Sequence, residues 1–422
     1  MSQSLRPVSS GVKPVLLVLL GSLTAIAPMS TDMYLPAFPV ITHELGLNSG
    51  DVELTFSAYF VGMMIGMLFY GPVSDRFGRK PPLIFGVGLY AISALGVASA
   101  GTLLEMISWR FLQGLGGCAG AVITIAIVRD RCEPREAARV MSLITLVMGT
   151  APILAPLAGG VVLSLGGWQG IFGVLAGFGL LCLAGIILVL SETSTRRVAR
   201  LALQPVVSGY WSLMRTPSFM GFVLSQAFTT GAMFAYIVGS PFVLMEIHTV
   251  TPEAFGFFFG ANAFGLVLAS QLNRLLLRRF SPSGILRTAL WIPFVGAVFL
   301  TINALLGGST LWLVLPGFFL VVCSVGLVGP NATAMALAEQ EARAGLASAL
   351  HTTTSFGMGM LAGVLISVLH NGTTIPLAGV ILVFSLCGLA ANRWLVVDSR
   401  VLRCSSNLTD SGVMHEERSP TV

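Results

Sequence analysis

The sequence predicts an all-α integral membrane protein with twelve transmembrane helices in two six-helix halves and with both termini in the cytoplasm. Of its 422 residues, 55% are hydrophobic and 10% are charged, whereas a soluble domain has about 25% charged residues. Apolar runs of about 20 residues, the length that crosses a bilayer, recur along almost the whole chain. No intervening segment is long enough for a folded soluble domain, so a globular enzyme is excluded.

The polar breaks between the apolar runs place the individual spans. The runs are continuous and rich in glycine, with 48 in the chain, which favours closely packed helices over the alternating strands of a membrane barrel. In chain order, the predicted spans are residues 14–41, 52–73, 82–100, 102–128, 139–164, 168–190, 218–246, 253–277, 287–306, 310–336, 346–369 and 374–397.

The distribution of basic residues predicts the orientation. All 23 lysines and arginines except Arg110 lie at the termini or in alternate loops on one side of the membrane, and such loops are cytoplasmic by the positive-inside rule. The net charge of +5 therefore reflects topology, and we expect no nucleic-acid partner. The loops on the other side hold acidic residues: Glu44, Asp51, Glu53, Glu105, Glu246 and Glu253.

A polar stretch between the sixth and seventh spans divides the chain into two halves. Asp75-Arg76-Phe77-Gly78 after the second span is echoed by Arg278-Arg279-Phe280-Ser281 after the eighth, which suggests an internal duplication. Repeated halves of this kind hold a substrate site at their interface and rock between inward-open and outward-open states. The predicted organisation is a cytoplasmic segment 1–13, a bundle 14–190, a linker 191–217, a bundle 218–397 and a cytoplasmic tail 398–422.

Asp32 in the first span and Arg110 in the fourth are charged residues well inside the membrane. A charge at this depth costs about 2.5 to 3.5 kcal/mol and usually marks an ion or substrate pathway. Each lies about 27 to 29 Å from the cytoplasmic end of its span at 1.5 Å per residue, so the two can meet. One interpretation is a fixed ion pair that fastens the two helices. The other is that Asp32 exchanges a proton under the control of Arg110, with Gln113 orienting either group or a ligand.

The loop after the second span carries a spaced motif, Gly71-Pro-Val-Ser-Asp75-Arg76-Phe-Gly78-Arg79-Lys80. An ordinary cytoplasmic turn that follows the positive-inside rule would explain the basic residues of this loop. It would not explain the aspartate or the two spaced glycines. The loop resembles the signature G-x-x-x-D-R-x-G-R-R/K of the major facilitator superfamily and matches every defined position. The resemblance implies that Asp75 holds the cytoplasmic side shut by facing the start of the eleventh span, near residues 345–348, where the helix dipole favours an anion.

Further motifs extend the resemblance. Arg110-Phe-Leu-Gln113-Gly114 is similar to a superfamily motif whose arginine is associated with proton transfer. The fifth span, with Pro152, Pro156, Gly159 and Gly160, is similar to the antiporter motif ending G-P-x-x-G-G, except that Ala155 replaces a glycine. Ser30-Thr31-Asp32-Met33-Tyr34-Leu35-Pro36 resembles the Bcr/CflA branch of drug:proton antiporters. The resemblance implies a proton-coupled exporter of antibiotics such as bicyclomycin and chloramphenicol in the bacterial inner membrane.

This resemblance also implies the substrate contacts and partners. Aromatic and methionine side chains suit varied apolar ligands, although each may equally pack against a neighbouring helix. We expect a monomer in the lipid bilayer that binds drug-like molecules and protons, needs no cofactor beyond the proton gradient and has no metal site. The candidate substrate contacts are Tyr34, Tyr59, Gln113, Met148 and Tyr236, and Met63 and Phe234 lie in spans that the resemblance also places around the central cavity.

Two other functions remain open from the sequence. The transport apparatus does not name its cargo, so export or uptake of an endogenous metabolite is an alternative to drug efflux. An integral-membrane enzyme is a third hypothesis, but the chain has no HExxH, GxSxG or phosphate-binding loop, and its five histidines are scattered without metal-ligand spacing.

Overall fold

A computed structural model describes residues 14–48, 50–192, 203–307, 310–338, 340 and 343–396. The predicted segments 1–13 and 398–422, and residues 193–202 of the linker, lie outside the described residues. The helices are α1 (Pro14–Asp32), α2 (Phe38–Glu44), α3 (Asp51–Phe77), α4 (Lys80–Ala98), α5 (Leu103–Arg131), α6 (Pro134–Val189), α7 (Leu203–Met214), α8 (Pro217–Pro241), α9 (Pro252–Leu276), α10 (Pro282–Ala289), α11 (Trp291–Leu305), α12 (Leu311–Ala338), α13 (Ala344–Val368) and α14 (Ile375–Leu395).

Within the described ranges, 11 helical segments are long and apolar enough to cross a membrane. The longest has 51 residues, or about 77 Å of continuous helix, far more than a bilayer needs. Its backbone is non-helical at Gly166 and Gly167, and a Cβ at Gly170 would lie 3.5 Å from Cγ1 of Val162. Residues eight apart touch only where a chain folds back, so α6 contains the predicted fifth and sixth spans. The all-α prediction is confirmed.

The first span is broken immediately after Asp32. The sequence predicted one span over 14–41, but α1 ends at Asp32, a short 3-10 turn follows at Leu35–Ala37, and α2 begins at Phe38. Pro36 and Pro39 explain the break, because proline has no N–H to donate and its ring clashes with the preceding turn of a helix. Asp32 therefore ends a helix at a break inside the first span, and transporters use discontinuous helices of this kind at binding sites.

The linker and the ninth span also differ from the prediction. The linker contains a helix, α7, which lies against the start of α13. There, Arg343 Nη1 donates to Ser212 Oγ over 3.0 Å, and Leu346 lies within 2.6 Å of a Cβ placed on Gly209. The ninth span begins five residues earlier than predicted, as α10, and continues through Leu290 into α11.

Packing within and between the halves follows a repeat. Helices α1 and α3 to α6 pack against one another, as do α8, α9 and α11 to α14, whereas α3 packs on α13 and α6 on α9 across the interface. In terms of spans, these crossing pairs are the second with the eleventh and the fifth with the eighth. In a duplicated chain, the second span corresponds to the eighth and the fifth span to the eleventh. Exchanging the halves therefore converts one pair into the other, which is the relation expected of duplicated halves.

The halves touch on the face opposite the arginine-rich loops. A Cβ at Gly50 would lie 2.9 Å from the Ser367 carbonyl oxygen, and Ser57 contacts the backbone at Gly363. All four residues are at the ends of α3 and α13 distant from Arg76. The described state is closed on this face.

Candidate transport site

A cavity of about 260 Å³ lies between the two halves. Helices α1, α3 and α6 line it from one side, and α8, α9, α12 and α13 from the other. Its polar side chains are Thr31, Asp32 and Tyr236. The large apolar side chains of the lining include Phe60, Met63, Met148, Phe234, Phe259 and Phe356.

Asp32 reaches this cavity from the last position of α1 and is only 4% exposed. Its Oδ1 accepts a hydrogen bond from Thr31 Oγ1 over 2.9 Å. No salt bridge joins it to a cation in the described part of the chain. The negative end of a helix dipole disfavours an anion, and so does burial without a cationic partner. A proton or a cationic ligand at Asp32 therefore stabilises this state.

Arg110 is fully buried but does not pair with Asp32. Its Nη1 donates to the Ser30 carbonyl oxygen over 3.1 Å and to Gln113 Oε1 over 2.7 Å. The predicted fixed ion pair is thus absent between these two described residues, because Gln113 and the backbone of α1 hold the guanidinium. Nε and Nη2 of Arg110 have no acceptor in the described structure.

An aromatic cage takes the place of an anion beside Arg110. The guanidinium carbon lies 4.8 Å from the ring centroid of Tyr34, 4.5 Å from that of Tyr59 and 5.7 Å from that of Phe172. The Tyr34 hydroxyl is fixed at 2.5 Å from Thr55 Oγ1. Cation–π contacts reach about 2 kcal/mol when desolvated, so the cage offsets part of the cost of burying the charge.

The structure divides the predicted substrate contacts into two groups. The cavity is lined by Met63, Met148, Phe234 and Tyr236. In contrast, Tyr34, Tyr59 and Gln113 surround Arg110 and are absent from the lining. Tyr236 is held in place, since its hydroxyl accepts from Asn262 Nδ2 over 2.9 Å.

Sequence reasoning included Phe234 among the expected lining residues but missed Phe60 and Phe356, with which it forms an aromatic cluster. The Phe60 ring from one half lies 4.6 Å from Phe234 and 5.5 Å from Phe356 of the other half. In the sequence, Phe60 is one helical turn before Met63, a spacing that places both on one face. This spacing does not distinguish a cavity from ordinary packing, and only the tertiary contact does.

Glu53 was assigned to an exposed loop, but it lies in the first turn of α3 and is 5% exposed. A methyl group on Gly363 of α13 would lie 3.6 Å from the Glu53 carbonyl oxygen, so Glu53 lies at the interface between the halves. The helix N-terminus favours its carboxylate. Glu53 is therefore a further buried charged residue within a predicted span, besides Asp32 and Arg110.

The predicted antiporter motif lies at the interface between the halves. Pro152 lines the cavity, and Pro156 is buried in the same helix. A side chain on Gly159 would collide with the Met33 carbonyl oxygen, and one on Gly160 would meet the Pro252 carbonyl oxygen at 3.4 Å. Glycine allows α6 to approach both the break after α1 and the start of α9.

The loop motif forms a charge network centred on Arg79. Arg79 pairs with Asp75 at 2.5 Å and with Asp130 at 2.8 Å, and its backbone N–H donates to Glu192 Oε1 over 2.8 Å. Gly78 has a φ of 93°, a left-handed conformation that favours glycine, and a side chain there would collide with Glu192. Gly78, Asp75 and Arg79 of the motif thus have structural roles.

Arg76 and Gly71 of the same motif take no part in this charge network in the described state. Arg76 lies over the ring of Phe77 at 5.2 Å, and a Cβ on Gly71 would meet nothing within 4 Å. Asp75 pairs with Arg79, while α7 covers the start of α13. The contact between Asp75 and residues 345–348 stays a prediction for the state that is closed on the arginine-rich face.

Comparison with known proteins agrees with this architecture. Residues 20–364 match the family described as Major Facilitator Superfamily. The chain is 33% identical over 374 residues to an uncharacterized MFS-type transporter, YdgK, of Bacillus subtilis, covering 88% of this chain and 92% of the relative. It is 31% identical over 365 residues to a bicyclomycin resistance protein homolog of Haemophilus influenzae, covering 86% and 91%. It is 28% identical over 373 residues to a chloramphenicol resistance protein of Pseudomonas aeruginosa, covering 85% of each.

Solved structures share the fold at low sequence identity. A D-xylose-proton symporter has a TM-score of 0.71 and 16% identity, with 91% of this chain and 98% of that one covered. A bacterial homolog of the human lysosomal transporter Spinster, in an inward-facing and unoccupied conformation, has a TM-score of 0.65 and 17% identity, with 92% and 96% covered.

Proposed function

The chain belongs to the Major Facilitator Superfamily, and from this premise we propose that it exports drug-like small molecules in exchange for protons by alternating access. Membership makes it a transporter, so the enzyme hypothesis is set aside. Its multi-pass architecture and bacterial relatives place it in the bacterial inner membrane. The single observation that carries the proposal is a buried carboxylate, Asp32, in a cavity formed by both halves.

Exchange at Asp32 provides the coupling. In the closed-face state described here, the carboxylate has no cationic partner. It is stabilised by a proton, by a cationic ligand or by the hydroxyl and amide donors of a neutral ligand, and it does not accommodate the proton and the ligand together. Binding of the drug on the arginine-rich side expels the proton, and binding of a proton from the other side expels the drug. Since both ligands use one group, the proton gradient alone drives the cycle and no cofactor is required.

Arg110 supplies the second half of the coupling. Two of its nitrogens have no acceptor, and its anchor, the Ser30 carbonyl, is two residues from Asp32. The break after Asp32 gives the end of α1 freedom to move relative to α5. We propose that Asp32 turns to these free donors while the face opposite the arginine-rich loops is closed, which stabilises the carboxylate and favours loss of the proton to the arginine-rich side.

The lining indicates the class of cargo. Aromatic rings and flexible methionines surround a few polar groups, as in sites that accept varied apolar ligands. A polar endogenous metabolite would leave its hydrogen-bonding groups unpaired against Phe259 or Phe356, at a cost. Two relatives are named for resistance to bicyclomycin and chloramphenicol, which makes these compounds the first to test. One chain completes the cavity, so we expect a monomer to transport.

Asp32→Asn tests the proposal because asparagine keeps the size and removes the exchangeable proton. In everted vesicles with an imposed proton gradient, wild-type protein is expected to transport ethidium, chloramphenicol or bicyclomycin and to release protons when the drug is added. Asp32→Asn should bind ethidium more weakly, because the cation loses its carboxylate partner, and should lose both signals by at least tenfold. The matched control is Glu253→Gln, which neutralises an exposed acid in α9. Active transport by well-expressed Asp32→Asn would contradict the role of Asp32, and no transport of any compound by wild type would contradict drug export.

A further inference from the structure

A second cavity of about 790 Å³ opens far from the transport site, between the α10–α11 junction and the end of α14. It shares no lining residue with the central cavity. The side chains that define it are Arg287, Trp291, Phe294, Asn392, Arg393 and Trp394.

The cavity lies at the level where the membrane meets water. Arg287 is in the last turn of α10, at the start of the ninth span, and Arg393 is in the last turn of α14, at the end of the twelfth. Both are on the arginine-rich face of the molecule. Trp291 is 56% exposed and Trp394 is 81% exposed, and tryptophan at this level marks the headgroup region of a bilayer.

We propose that this cavity is a binding site for an anionic phospholipid. A guanidinium matches the geometry of a phosphate with paired N–H donors, and the cavity presents two of them. The indoles of Trp291 and Trp394 suit the boundary between a polar headgroup and acyl chains. Basic pockets between transmembrane helices on the cytoplasmic side have this chemistry.

The apolar part of the lining selects a lipid over a free phosphate. Phe294, Leu386 and Leu389 continue from the arginines toward the hydrocarbon-facing surface of α11 and α14, and Leu386 is 46% exposed. A soluble phosphate ester would leave these side chains uncovered, whereas acyl chains cover them. The site therefore takes the headgroup and the upper acyl chains of one lipid.

Binding at this site would attach the C-terminal half to the arginine-side leaflet. Helices α11 and α14 pack on each other, so one lipid touches the ends of two neighbouring spans. The site is independent of the proposed drug export and does not require it.

Native mass spectrometry of the full chain tests the proposal. The protein is released from micelles containing equimolar palmitoyl-oleoyl phosphatidylglycerol and phosphatidylcholine, and the ratio of the two lipids retained is measured. Wild type is expected to favour phosphatidylglycerol. Since a basic residue near an anionic lipid contributes about a fivefold preference, the preference should fall about fivefold in Arg393→Gln and roughly 25-fold when Arg287→Gln is added. Arg274→Gln, which removes an exposed arginine from α9 on the same face, should leave it unchanged.

The other outcomes overturn the proposal. Equal retention of the two lipids by wild type, or an undiminished preference in the double variant, would show that the cavity does not select anionic lipid. An equal fall in Arg274→Gln would show a general surface charge effect. Displacement of phosphatidylglycerol by millimolar sn-glycerol 3-phosphate would identify a site for soluble phosphate esters instead. A folding defect is recognised separately by the melting temperature of each variant.

Discussion

Phe60 of α3 stacks on Phe356 of α13 with ring centroids 5.5 Å apart and an angle of 29° between the rings. The two residues belong to opposite halves, and both line the central cavity. The contact joins the halves on the closed face, so it must separate when that face opens. An equilibrium shifts only by an interaction that differs between its two states, and this stack is such an interaction.

Replacement of Phe60 with alanine should therefore favour the state open on that face. An aromatic pair contributes about 0.5 to 1.5 kcal/mol beyond its buried area, so we expect at least a several-fold gain in that population. Reactivity of a single cysteine introduced at Ser57 in a cysteine-free background measures it. Phe69→Ala is the control, because Phe69 is on the same helix but 62% exposed. Equal reactivity in Phe60→Ala and Phe69→Ala would contradict a gating role for the stack.

Lysine should not substitute for Arg110. The charge would remain, but an ammonium group lacks the planar face held between Tyr34 and Tyr59 and the several donors of a guanidinium. We expect Arg110→Lys to lose proton-coupled efflux by tenfold or more and to lower the melting temperature. Tyr34→Phe, which keeps the ring and loses only the hydroxyl contact to Thr55, should retain the cage and most of the melting temperature. Normal efflux by Arg110→Lys would show that charge alone suffices.

Asp75→Asn should increase the population open on the arginine-rich face. An anion beside a helix N-terminus contributes about 1 kcal/mol, so loss of the predicted contact with α13 corresponds to roughly a fivefold shift. Cysteine reporters at the ends of α3 and α13 measure this opening. Asp130→Asn removes the other carboxylate partner of Arg79 and serves as the control. If both variants shift the equilibrium equally, the cause is the pairing of Arg79 and not a latch at α13.

His370 should make opening of the other face depend on pH. It lies against Gly50 of the opposite half and 4.4 Å from the ring of Phe242, and burial lowers its pKa. The closed state is therefore fully favoured above the ordinary histidine pKa of about 6.5. It loses stability as pH falls through that value, because the open state takes up the proton more readily.

Labelling of the cysteine at position 57 from about pH 5.5 to 7.5, normalised at each pH to labelling of the unfolded protein, tests this expectation through the difference between wild type and His370→Gln. Wild type should open as the pH falls, and His370→Gln should respond less. His43→Gln, which removes an exposed histidine, should behave as wild type. The same pH response in His370→Gln and wild type would exclude His370 as the sensor.

Much of this protein follows from sequence because a bilayer imposes strong local constraints. A span must be apolar for about 20 residues and must satisfy its own backbone hydrogen bonds, so the order of apolar runs and polar breaks along the chain predicts twelve helices. The cost of a buried charge likewise makes Asp32 and Arg110 conspicuous in the sequence. The motif of Asp75, Gly78 and Arg79 is visible in the sequence for a similar local reason, since the left-handed residue Gly78 and the Asp75–Arg79 pair lie within five residues. The contacts of Arg79 with Asp130 and Glu192 come from distant segments.

The tertiary structure decided what each of these groups contacts. Equal depth in the membrane allowed Asp32 to meet Arg110, but depth does not fix the rotation of a helix about its axis, and Arg110 turns to Tyr34, Tyr59 and Gln113 instead. The sequence alone determined the all-α membrane fold, because each helix must be apolar toward the surrounding lipid whatever its neighbours are. Only the packing of α1, α3 and α6 against α8, α9 and α13 determined the cavity and its closed face, because those contacts join residues about one hundred to three hundred positions apart.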